Sequence, residues 1–109
     1  MEIETLDKNG YSLIRVHEDL LQETDLAPLK AAIRSVLDEG KVNLAVSFTG
    51  GTCFYSRTIA VLVQILGEVK EFGGNLAVIH PKEGMLEMIK VVGLGILIET
   101  HTSEETVCL

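Results

Sequence analysis

The chain is short of the residues that would tie it to an oxidising compartment, a metal or nucleic acid. Its 109 residues include two cysteines, two prolines and no tryptophan. Cys53 and Cys108 lie far apart and fit no Cys-x-x-Cys or Cys/His ligand spacing, so neither a redox motif nor a zinc site is indicated. Two ordinary thiols in a reducing compartment are expected. Basic residues are also scarce: 9 Lys and Arg stand against 16 Asp and Glu, a formal net charge of -7. Nucleic acid and anionic membrane surfaces are therefore poor partners, because their phosphates would be repelled. No uncharged apolar run approaches the roughly 18 residues of a membrane span. The acidic start, Met1-Glu2-Ile3-Glu4, lacks the basic residues of a secretory signal, and a cytoplasmic location is expected.

What remains is 47% hydrophobic, with no Pro/Ser-rich linker, low-complexity tract or fixed-period repeat. A single domain over residues 1–109 is expected, large enough to bury roughly 60–70% of its unfolded surface unaided. Residues 2–6 and 11–16 read as two short strands, joined through an Asn9-Gly10 pair suited to a tight hairpin turn. Thr24 or Asp25 caps a helix with Pro28 in its first turn, and Leu26, Leu29, Ile33, Val36 and Leu37 form its apolar face up to Gly40. Val42, Leu44, Val46 and Phe48, with Ala45 between them, suggest a strand buried on both faces. A second helix runs from about Ser56 to Phe72 and is apolar nearly all round in its first half, so core packing or a partner should cover it. Gly73-Gly74 ends it.

Residues 76–79 form another buried strand, and Pro81 opens a third helix whose Leu86, Ile89 and Val92 share a face until Gly93. Ile96-Leu97-Ile98 read as a last strand, and Ser103-Glu104-Glu105 can start a single frayed turn. The order predicts an α/β fold: a mostly parallel sheet with an antiparallel N-terminal edge hairpin and three main helices. The outer hairpin strand leaves an edge through which a homodimer could form.

Ser56 is the residue best placed for function. It falls where a buried strand and a loop give way to an apolar helix, and its hydroxyl can cap a free backbone N–H of the first turn. A phosphate there would meet the positive end of the helix dipole, so cap and switch are both open. Of Phe54 and Tyr55, at most one should point outward, and Tyr55 tolerates water better. Arg57 can pair with a partner carboxylate or remain solvated. The preceding Thr49-Gly50-Gly51-Thr52 lacks the ending of a phosphate-binding loop and reads as a turn. His17, His80 and His101 sit in different elements as strand-end or surface residues, and Met85 and Met88 read as gap-fillers. No catalytic arrangement emerges, so neither an enzyme nor a cofactor is expected.

The order of elements and the residues around Ser56 resemble the STAS domain family, whose best-known members are bacterial anti-sigma-factor antagonists. Residues 42–48 resemble the family's buried strand and residues 49–54 its loop. Tyr55-Ser56-Arg57-Thr58-Ile59 fall on its Asp-Ser-Ser-Gly-Leu signature, with Tyr55, Arg57 and Thr58 standing in for Asp, the second Ser and Gly. Gly73-Gly74-Asn75-Leu76-Ala77-Val78 resemble the family's Gly-Gly and following strand, and Pro81 and Gly93-Leu94 fall close to family positions. Before the first helix, Glu18-Asp19-Leu20-Leu21 replaces the family's Gly-Glu-Leu-Asp. The resemblance implies a non-catalytic, signalling module that regulates transcription by binding an anti-sigma factor, itself a serine kinase, through Tyr55, Ser56, Arg57 and Thr58. It implies Ser56 as the phosphorylation site whose modification breaks that binding. The alternative it leaves is a scaffold or small-ligand-binding STAS module of a stress-signalling or transport complex.

Overall fold

The computed structural model describes residues 2–17, 24–49 and 56–107. The elements are β1 (Ile3–Lys8), β2 (Tyr11–Val16), α1 (Ala27–Asp38), β3 (Asn43–Phe48), α2 (Ser56–Glu71), β4 (Asn75–Ile79), α3 (Glu83–Val91) and β5 (Ile98–His101), followed by a 3-10 turn at Glu104–Thr106. Asn9 and Gly10 both take positive φ, 54° and 87°, as a tight hairpin turn requires, and lock β1 antiparallel to β2 with Lys8 opposite Tyr11. The five strands lie in the order β1-β2-β3-β4-β5, parallel from β2 onward.

Because each parallel crossover steps to the next strand in the same direction, all three helices are placed on one face. Their buried residues form a single cluster with Ile14, Val16, Leu44, Val46, Phe48, Leu76, Val78 and Ile98 from that side of the sheet. The opposite face carries a smaller cluster of Tyr11, Leu13, Ala45, Ala77 and Ile79, against which Val107 packs. β3 is therefore covered on both faces, with residues 44–48 all buried, as its unbroken apolar run predicts.

The boundaries differ from the sequence expectation in a few places, each with a local cause. α1 starts at Ala27, with Leu26 in the cap position; Asp25 contributes by accepting a hydrogen bond from the Ala27 N–H at 3.0 Å. α2 ends at Glu71 rather than Phe72. α3 starts two residues after Pro81, and its Val92 is not on the buried face but half-exposed at the helix end. The expected strand at residues 96–98 begins only at Ile98: Leu97 and Ile98 both donate backbone hydrogen bonds to the Leu94 carbonyl, so residues 94–97 are wound into a turn that leaves Ile96 96% exposed.

Candidate functional site

α2 is anchored by an apolar face of Val61, Leu62, Ile65, Leu66 and Val69, all buried against the sheet and α1. This fixes the first turn of the helix at the carboxyl end of β3. Ser56 is the first helical residue, one position further in than the expected cap, and both it and Arg57 are exposed. Thr58 is only 3% exposed, so it supports the turn from below and offers little contact surface itself. Tyr55, the Gly50-Gly51 loop, Phe54 and both cysteines lie outside the described residues.

The start of α1 lies beside this turn. Lys30 Nζ donates to Gln64 Oε1 at 3.2 Å and links the two helices. A shallow groove of about 270 Å³ runs between them, lined by Asp25, Leu26, Ala27, Lys30, Arg57, Ala60, Val61 and Gln64. Beyond the groove, the Arg34 guanidinium on α1 lies 5.4 Å from the centre of the Phe72 ring and pairs with Asp38 at 3.3 Å.

The histidines stand at strand ends, as expected, but their surroundings differ. His17 follows β2, with Nε2 2.9 Å from Glu4 Oε1, and this bond, followed by the one from Arg15, holds the Glu4 carboxyl below its ordinary value. His80 follows β4 and is fully buried; its Nδ1 accepts from the Lys82 N–H at 3.0 Å, which fixes the entry to α3. His101 ends β5 with Nε2 2.6 Å from Glu99 Oε1.

Sequence reasoning missed a polar cluster on the sheet face away from the helices. Arg15 on β2 donates from Nη2 at 2.7 Å and from Nε at 3.0 Å to the Glu104 carboxylate, which also accepts from Ser47 Oγ at 2.9 Å. The Arg15 bonds push the Glu104 carboxyl below its ordinary range. Asn9 Nδ2 donates to the Val107 carbonyl at 3.1 Å, so residues 102–107 are strapped across the second apolar cluster. Nothing short of the strand order could have joined residues 89 positions apart.

No family model and no curated protein matches the chain. Among the solved structures that share its fold are the following two. The NMR structure of the protein TM1081 superposes with a TM-score of 0.72 at 16% identity, over 92% of this chain and 80% of that one. The Bacillus cell fate determinant SpoIIAA, in its phosphorylated form, superposes with a TM-score of 0.69 at 17% identity, over 95% of each chain. Among the described residues no helix is long and apolar enough to cross a membrane.

Proposed function

We propose that this chain, which has the STAS-like fold of the anti-sigma-factor antagonist SpoIIAA, is a non-catalytic protein-interaction module that binds an anti-sigma factor with serine-kinase character and is switched at Ser56. The observation that carries this reading is the pairing of two exposed side chains, Ser56 and Arg57, with a helix whose next turns are locked into the core. A surface patch held that firmly can be recognised without being reshaped.

The switch follows from charge. A phosphate on Ser56 would add about -1.5 to -2 at pH 7. First-turn N–H groups and the helix dipole tolerate that charge, and Arg57 is a neighbouring cation, so the fold survives. A partner surface docked against a neutral hydroxyl would instead face desolvation cost and repulsion, and it would dissociate.

Mass spectrometry of the protein from its native cell, with Ser56→Ala as control, tests this reading. Phosphate at Ser56, absent from the variant, is expected, together with weaker binding of the phosphorylated form to the kinase partner captured from the same cell by cross-linking. A Ser56 unmodified under growth, starvation and stress, with Ser56→Asp binding that partner as the wild type does, would reduce the residue to a structural start of α2.

A further inference from the structure

Among the described residues, the groove between α1 and α2 carries charge of the sign opposite to the chain as a whole. The chain bears a formal net charge of -7, yet the described lining of the groove holds two cations, Lys30 and Arg57, against the carboxylate of Asp25. That carboxylate already accepts the Ala27 N–H at 3.0 Å. Lys30 spends one donor on Gln64, at 3.2 Å, and an ammonium has three. Arg57 is exposed and, among the described residues, has no hydrogen-bond or ion-pair partner, so the described structure commits none of its planar donor fork.

We infer that this groove receives a carboxylate-bearing helix of a partner protein. The inference rests on reading the start of α2 as an interaction surface, and it assigns the chemistry of what docks there. The groove floor is apolar, made by Leu26 and Val61, which are 5% and 9% exposed. Its walls are low, because Ala27 and Ala60 are exposed and short, so a third helix can approach both backbones. Arg57, Ala60 and Gln64 recur on one face of α2 at helical spacing, and an occupant about ten residues long would extend about 15 Å beside them. Its apolar side would cover the floor while Glu or Asp at the same spacing reached Arg57 and Lys30. A nucleic acid or anionic membrane would meet the same two cations but also the repulsion of the remaining acidic surface. A compact cluster of carboxylates is engaged within the Debye length of about 8 Å at physiological salt.

The test is an amide NMR titration of the full ¹⁵N-labelled chain with a synthetic Glu-rich amphipathic helix about 12 residues long, and with its Lys-for-Glu counterpart. The expected result is shift changes over residues 27–34 and 57–64 with the acidic peptide alone, fading as salt is raised. The double variant Lys30→Glu, Arg57→Glu should weaken binding about tenfold or more while its spectrum elsewhere stays that of the wild type. Equal binding of the basic peptide, no shifts at either helix, or shifts centred on residues 91–97 would each overturn the inference. Groove shifts that appear on concentrating the chain without peptide would also overturn it, by assigning the groove to a second copy. Shifts confined to residues 56–60 would sink the helix-groove assignment but leave the reading of the α2 start standing, which the phosphate measurement decides separately.

Discussion

Glu104 is the residue whose electrostatics are most exposed to a direct test. Its side chain is 17% accessible and that of Arg15 27%, so their bidentate pair is shielded from solvent far more than a typical surface pair. Arg15 lowers the Glu104 carboxyl below the ordinary value of 4.5, and the hydrogen bond from Ser47 acts in the same direction against the opposing effect of burial. A carboxyl depressed in the folded state stabilises the fold above its unfolded value and ceases to do so as pH falls through its folded value. Stability to urea is therefore expected to hold down to about pH 5 and decline below it, with part of that decline missing in Glu104→Gln. At pH 7 the variant should lose about 1.5 kcal/mol, the scale of a hydrogen bond to a charged group. Equal slopes of stability against pH in the two proteins would show that the pair contributes nothing. None of this was legible in the sequence, where Ser103-Glu104-Glu105 reads as the start of a frayed turn. Ser103 does cap that turn, accepting the Glu105 N–H at 3.3 Å, but the sheet face beneath it became visible only with the strand order.

At the scale of elements the sequence is far more transparent, because helix periodicity and strand alternation are local signals. Leu29, Ile33, Val36 and Leu37 are all buried as their spacing in α1 predicts, whereas in the apolar first half of α2 the core covers Val61, Leu62, Ile65 and Leu66 and leaves Ala60 and Val63 exposed. The ends were readable for an equally local reason. After α2, the Gly73 N–H reaches the Lys70 carbonyl at 3.0 Å and the Gly74 N–H that of Val69 at 2.9 Å, a Schellman closure repeated after α1 at Gly40 and after α3 at Gly93. The reading failed at residues 96 and 97, because an exposed apolar run in a turn and a buried strand have the same composition. The Gly73-Gly74 pair has a use beyond the helix end. A Cβ on Gly74 would lie 1.8 Å from the Val42 carbonyl oxygen, where the entry to β4 crosses the chain leading into β3. Gly74 also donates in the closure, and Asn75 N–H donates to that same Val42 carbonyl at 3.0 Å, so neither backbone can retreat freely. Gly74→Ala should therefore cost about 1–3 kcal/mol through overpacking, while Gly73→Ala should cost about 1 kcal/mol for its positive φ. Urea midpoints at unchanged slope would measure both, and a neutral Gly74→Ala would mean the two segments can separate. For comparison, Leu62→Ala, at a fully buried site on α2, should cost about 2–5 kcal/mol by leaving a cavity.

For the whole molecule, the two faces of the sheet are guarded to different degrees. The helical face is closed by three amphipathic helices, and the other by the strap of residues 102–107 and the side chains beneath it. Among the described residues, two surfaces outside the α1/α2 groove offer copies a place to meet: the edge strand β1, and the apolar patch of Val91, Val92, Ile96 and Leu97 beside β5. Neither is free to act at low salt. A formal charge of -7 on each copy opposes any approach, and β1 bears Glu4 and Asp7 among its six residues, the kind of charge that blunts an edge. Screening removes the long-range part of that repulsion while leaving apolar contact intact, since the Debye length falls from tens of ångströms in dilute buffer to a few at high salt. The homodimer expected from the open edge should therefore be absent at about 0.02 M salt and appear near 0.5 M, as sedimentation equilibrium would show. Ile96→Glu then separates the surfaces, because it abolishes a dimer built on the patch and leaves one built on the β1 edge unchanged. A chain that stays monomeric at both salts would remove the dimer from consideration and leave the α2 surface to a different protein.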